Sequence, residues 1–310
     1  MSLMGGTKRP SPFAATDASS IASAVAQLVR RASVELNVQD VKELPASREL
    51  LPHGTRLYVS HLPKQSWDDT VGACRAAKEA GFDPIPHIPV RLIESESHLD
   101  MLLAQIAQAQ VAEILLISGD YPRAAGPYAL VADVLRSGLL QRHGLRRVSF
   151  AGHPEGHPAV PLAEIRRAEL EKAELAAQLG LEATFVTQFF FESAPFLQWA
   201  SEARRRGIVS ARLVAGLAGP VGLATLLKFA KRCGVGSSIR ALTARAGAFT
   251  KLLGEYRPEE LVGELAAAQA ENPARFDGVH FFCLGGYLRT CKWLASLAAE
   301  SQPGEQGALE

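Results

Sequence analysis

The sequence predicts an α/β chain that closes into a single (β/α)8 TIM barrel, with one helix before the first strand and a helical insertion before the last. Eight short apolar runs carry the strand signal, helix-length segments separate them, and no Gly-rich phosphate fingerprint follows the first run to favour an open doubly wound sheet.

A short amphipathic helix, Ile21 to Arg31, comes first. The strand-like runs are then ASVELNV, RLYVSHL, DPIPHIPV, EILLISGD, VSFAGHPEG, ATFVTQFFF, ARLVAGLAG and VHFFCLGG. The first seven start about 25–35 residues apart, and helical patterns such as WDDTVGACRAAKEAG, HLDMLLAQIAQAQ, LAEIRRAELEKAELAAQLG and LATLLKFAKRCG fill the gaps. Alternating βα units imply a parallel sheet, and eight of them imply closure. Between Ser237 and Asp277 two further helices, IRALTARAGAFTKLLG and PEELVGELAAAQAE, read as an insertion at the barrel rim. Residues 1–18 and 302–310 read as disordered tails, leaving 19–301 as one barrel domain.

Composition narrows the partner. The 33 basic and 32 acidic residues are interspersed and give a net charge of +1, without the single-sign excess of nucleic-acid or membrane-surface binders. A small molecule is the expected ligand. Cys74, Cys233, Cys283 and Cys291 form no CxxC pair, so the reading is free buried thiols, no metal site, and a reducing cytoplasm. No stretch reaches the ~18 consecutive apolar residues of a membrane span.

Barrel active sites are built at strand C-termini, so polar residues there are the candidates. Glu35, inside ASVELNV, is flanked by apolar residues that should raise its pKa. It reads either as a poised proton donor or as a strand-end glutamate paired with an arginine. Asp120 ends the fourth strand after Gly119, facing the mouth or capping a helix. His87 lies between prolines and could meet a ligand or sit satisfied in the core. GHPEGHP, from Gly152 to Pro158, gathers His153 and His157 just past the fifth strand and is the most site-like run. Its prolines oppose a helical zinc pair. Gln188 offers a donor and an acceptor suited to a heterocycle edge, or to bridging the backbone. There is no Walker A, GxSxG or HExxH motif.

In order, ASVELNV, IPHIP, ISGDYP, FAGHPEGHP, VTQFFF and AGLAGPVGLATLLKFAKRCGV resemble the methylenetetrahydrofolate reductase family. The resemblance implies hydride transfer from NADH or NADPH, through FAD, to 5,10-methylenetetrahydrofolate, giving 5-methyltetrahydrofolate for methionine biosynthesis, or the reverse in one-carbon catabolism. It makes Glu35 the acid that opens the folate ring and Asp120 the carboxylate beside the resulting cation. Gln188 and the position of Leu223 would meet the folate. Ser60 or His61, His87, Ser118, Gly119, Asp120, Tyr128, Ala129, His153 and His157 match cofactor-contact positions. Several residues depart from the pattern. Ser118 stands where many members have arginine, His153 where they have an aromatic residue, Leu175 and Ala176 where a basic pair meets the cofactor phosphates, and Leu223 where an aromatic ring stacks on folate.

These departures frame the alternatives: a flavin-independent version of the same reaction, a folate-binding methyltransferase-type barrel, or a non-catalytic one. The apolar face of PEELVGELAAAQAE suits either a cover for the site or a contact in a homo-oligomer.

Overall fold

A computed structural model describes residues 18–119, 121–233 and 254–300. Eight strands alternate with helices: β1 (Ser33–Leu36), β2 (Arg56–Val59), β3 (Asp83–Pro89), β4 (Glu113–Ile117), β5 (Arg147–Gly152), β6 (Glu182–Thr187), β7 (Arg212–Ala218) and, after a two-stranded hairpin, β10 (Gly278–Phe282). Each pairs in parallel with its neighbour, and β10 lies between β7 and β1, so the ladder closes into an eight-stranded barrel. This is the predicted TIM barrel.

Helix α1 (Ala18–Arg30) packs against α10 (Glu259–Glu271) and α11 (Tyr287–Glu300), joining the two ends of the described chain. A single turn, α2 (Leu44–Ser47), lies between β1 and β2. Around the wall stand α3 (Trp67–Glu79), α4 (Glu96–Gln108), α7 (Leu162–Gln178) and α8 (Ser193–Arg205). A capping box opens α3, in which the Ser66 hydroxyl accepts from the Asp69 amide and the Asp69 carboxylate accepts from the Ser66 amide. Between β4 and β5 the gap holds two short helices, α5 (Val131–Arg136) and α6 (Leu139–Arg142), around the left-handed Gly138.

The insertion differs from the sequence expectation. PEELVGELAAAQAE forms α10, whereas IRALTARAGAFTKLLG falls almost entirely outside the described residues. Flanking the latter is an antiparallel hairpin, β8 (Val221–Gly222) with β9 (Glu255–Tyr256), which brings the end of β7 and the return to α10 together. Two-residue strands are too short for a periodicity to reveal.

Period-two alternation sorts the wall. Val34, Leu36, Leu57, Val59, Phe150, Phe185, Val279 and Phe281 face outward into the main core between sheet and helices. Tyr58, Ile85, Leu115, Val186 and Val214 form a separate apolar layer inside the barrel. Below it sits one carboxylate. Glu113, 3% exposed, accepts from Arg56 (2.5 Å) and from Ser149 (2.6 Å), while Ser149 also bonds Tyr58 at 2.9 Å. Arg147 approaches its other oxygen at 3.8 Å.

Removing this acceptor leaves Arg56 and Ser149 without their carboxylate at the base, the costly way to break a buried pair, while the exposed Arg147 turns to water. Glu113→Ala should therefore lower unfolding stability by about 3 kcal/mol in urea titrations, with the helical signal of the remaining folded protein unchanged.

Candidate active site

Inward positions near the C-terminal ends of the strands line the mouth. Glu35 on β1 stands in register with Tyr58 on β2, and its Oε1 accepts a short hydrogen bond from the Ser60 hydroxyl just past β2. Burial pushes its carboxyl above the usual range; the Ser60 bond opposes this and the charge of Asp40 adds to it. Glu35 is therefore a carboxyl held towards its protonated, donating form.

Edge-on to Tyr58 at 6.1 Å, His87 projects from β3 with Nε2 buried and lacking a hydrogen-bond partner, and burial drives its pKa down to about 4. His61 bonds Thr70 at 2.8 Å and stacks on Trp67 with centroids 3.9 Å apart. Burial lowers its pKa as well.

Two inward residues of β10 complete this side and were not singled out from sequence. His280 bonds Ser33 at 3.0 Å and meets Tyr58 edge-on at 4.8 Å; burial takes its pKa to about 3. Phe282 lies one step nearer the mouth, half-buried, edge-on to His280 at 4.8 Å. The alternation in VHFFC held the signal: with Val279 and Phe281 outward, His280 and Phe282 must point in.

Across the mouth, Gly119 follows β4 with φ 81°, a left-handed conformation that favours glycine, and a Cβ there would press on the Tyr121 ring and Pro89. Ser118 is half-buried beside it, and Asp120 lies outside the described residues. Past β5, His153 and His157 meet edge-on at 5.7 Å, and His157 Nδ1 accepts from the Ala159 amide. Burial lowers the His153 pKa to about 4, helped by the positive charge of Lys172. Gln188 Oε1 accepts from the Phe189 amide at 3.0 Å, which leaves its NH2 to donate to a ligand.

Other candidates sit elsewhere. Tyr128, 5% exposed, belongs to the main core, and Ala129 is exposed on the loop after β4. Leu223 opens α9 (Leu223–Cys233) and packs into a second cluster with Phe189, Phe191, Val221 and Leu226.

Three cations near β3 to β5 are engaged by the protein's own groups. Arg91 donates to the carbonyls of Tyr121 (2.7 Å) and Ala129 (3.1 Å), tying the loop after β4 to the end of β3. Arg166 donates to the carbonyls of His153 and Pro154 and to Glu169. Glu169, 1% exposed, also accepts from Arg206 and from Trp199 Nε1, and so nails α7 to α8 and to the loop after β5. Lys172 lies over the outward faces of Phe150 and Phe185 with Nζ 3.5 Å from the Ala151 carbonyl, and burial lowers its pKa to about 8. Ile165, Glu169, Lys172 and Ala176 share one spacing on α7, so two charges on its buried face were readable in advance. Among the described residues no three His, Cys, Asp or Glu side chains converge as a metal site.

Comparison with known proteins adds context. A sequence model described as Methylenetetrahydrofolate reductase matches residues 65–241, more than half the chain. Among solved structures, an uncharacterized protein from Clostridium thermocellum that binds two copies of 5-methyl-5,6,7,8-tetrahydrofolic acid aligns with TM-score 0.55 at 13% identity, over 89% of this chain and 98% of that one. This likeness shows the barrel fold. Dihydropteroate synthase from Thermus thermophilus aligns at TM-score 0.47 and 10% identity, over 88% of this chain and 94% of its own.

His87, His153 and His280 are held neutral, well below the unfolded value of about 6.5, so protonation favours the unfolded chain. Their contribution is complete above about pH 6.5 and is lost as pH falls towards about 4. The urea midpoint should drop across that window, and His280→Gln should flatten the slope.

Proposed function

The chain belongs to the methylenetetrahydrofolate reductase family, and from that premise we propose that it reduces a folate-bound methylene group by hydride transfer from a nicotinamide nucleotide, with Glu35 as the proton donor. The observation that carries this reading is the state of Glu35: a carboxyl raised by burial and held by Ser60 near the C-terminal end of β1.

FAD was the expected intermediary, and the described residues do not fit its diphosphate. Ala176, 0% exposed, and half-buried Leu175 pack against the barrel wall where cations are expected. Arg91 and Arg166 hold main-chain carbonyls, and Lys172 lies under α7. Arg123 and Lys64 are exposed, but on separate loops after β4 and β2. A diphosphate without convergent cations loses its strongest bonds. The direct, flavin-independent route is therefore the reading adopted.

In that route Glu35 gives its proton to the ring nitrogen that leaves the methylene carbon, and the five-membered ring opens to an iminium. The nicotinamide hydride then adds to that carbon, giving the methyl group and the oxidised nucleotide. The Gln188 NH2 donates to the pterin edge and fixes its orientation. To Asp120, by resemblance, falls the electrostatic stabilisation of the cation.

Purified protein incubated with FAD and desalted should keep no flavin absorption, yet oxidise NADH or NADPH only when methylenetetrahydrofolate is added. Retained flavin bands that bleach with NADH would overturn the direct route. Glu35→Gln should cut kcat at least about 100-fold while leaving folate affinity nearly unchanged. Because the donor must be protonated, kcat of the parent enzyme should fall as pH rises through the raised pKa of Glu35.

A further inference from the structure

We infer that Lys64, on the turn after β2, is the cation that meets the diphosphate of the nicotinamide nucleotide, which makes this turn the anchor of the hydride donor. The inference rests on the hydride-transfer reading above and adds a side chain that the family resemblance did not assign.

Backbone geometry sets Lys64 apart. Leu62, Pro63, Lys64 and Gln65 close a turn in which the Gln65 amide donates to the Leu62 carbonyl at 3.1 Å. Proline takes the second place and Lys64 the third, at φ 72°, where a turn of this kind favours glycine or asparagine. Among the described residues only Gln110 shares a positive φ outside glycine. A lysine in this conformation is strained, and persists because its surroundings hold it there.

Those surroundings lead to the acid. The Gln65 side chain accepts from the Leu62 amide at 3.3 Å and donates to the Thr70 hydroxyl at 2.9 Å and to the Ser60 carbonyl at 3.5 Å. Ser60 is the residue whose hydroxyl bonds Glu35, so the turn is fastened to the proton donor's own partner.

The ammonium is uncommitted. Lys64 is exposed and forms no ion pair among the described residues. The two nearest carboxylates in sequence are engaged elsewhere: Asp69 accepts from the Ser66 hydroxyl at 2.6 Å and amide at 3.1 Å, and Asp68 accepts from Gln105 at 3.2 Å.

A diphosphate at the mouth needs a cation, and Arg91, Arg166 and Lys172 are taken. In the closed ladder β2 stands diametrically opposite β6. With the pterin edge met by Gln188 just past β6, the side left for the nucleotide is that of β2 and its turn. A lone ammonium is a point charge without an arginine's fork, so its grip on the phosphates is modest. That suits a co-substrate that must leave after each turnover.

Calorimetric titration with NADH and with NADPH tests this. For the nucleotide the parent binds more tightly, Lys64→Gly should weaken binding about fivefold to tenfold and Lys64→Arg less than about twofold. The urea midpoint of Lys64→Gly should rise, because glycine relaxes the turn, whereas a merely structural lysine would lose affinity and stability together, an outcome that overturns the inference. Potassium chloride should weaken nucleotide binding more steeply in the parent than in the glycine variant. Unchanged nucleotide affinity in Lys64→Gly, or a loss that falls on 5-methyltetrahydrofolate instead, would overturn the inference while leaving the hydride-transfer reading intact. Nucleotide binding that depends on Lys64, without oxidation when methylenetetrahydrofolate is added, would uphold the anchor and remove the reaction. A parent protein that binds neither nucleotide would remove both.

Discussion

Pairing of the first strand with the last is the contact on which the mouth of this barrel depends. Ser33 and His280 bond across 247 residues of sequence, and the same register that aligns them sets Glu35 beside Phe282. An open sheet would leave both at unpaired edges. Closure gives every strand two neighbours, so the carboxyl has Tyr58 on one flank and an aromatic ring on the other. Its raised proton affinity follows, since the walls on both sides exclude water.

Much of this was legible in the sequence. Alternating apolar runs and helical segments predict eight βα units, and each of the eight appears in the closed ladder. Strand-end position alone brings out Glu35, His87, His153 and Gln188 as candidates. His280 and Phe282 escaped because the first lies mid-strand, away from the strand end, and the second, a phenylalanine, reads as core until the inward parity is known. The hairpin of β8 and β9 escaped for another reason: its strands pair across a long intervening segment and have no period of their own. Leu175 and Ala176 show the converse case, a departure visible in sequence whose physical meaning, burial against the wall, needed the helix to be placed.

The neutral histidines fit the same account. His87 and His280 lie within a chamber that also holds a carboxyl, and a positive charge there would draw the proton from Glu35 by favouring its ionised form. Burial keeps both rings uncharged. The acid is then set by desolvation, without a cation to stabilise its conjugate base.

The arginine grips on the loops have a consequence of their own. Arg91 and Arg166 hold main-chain carbonyls of the segments after β4 and β5, contacts indifferent to which side chains those segments carry. The backbone at Tyr121, Ala129, His153 and Pro154 is thereby anchored whatever side chain stands there. A change of side chain on these loops thus removes none of the bonds by which Arg91 and Arg166 hold them.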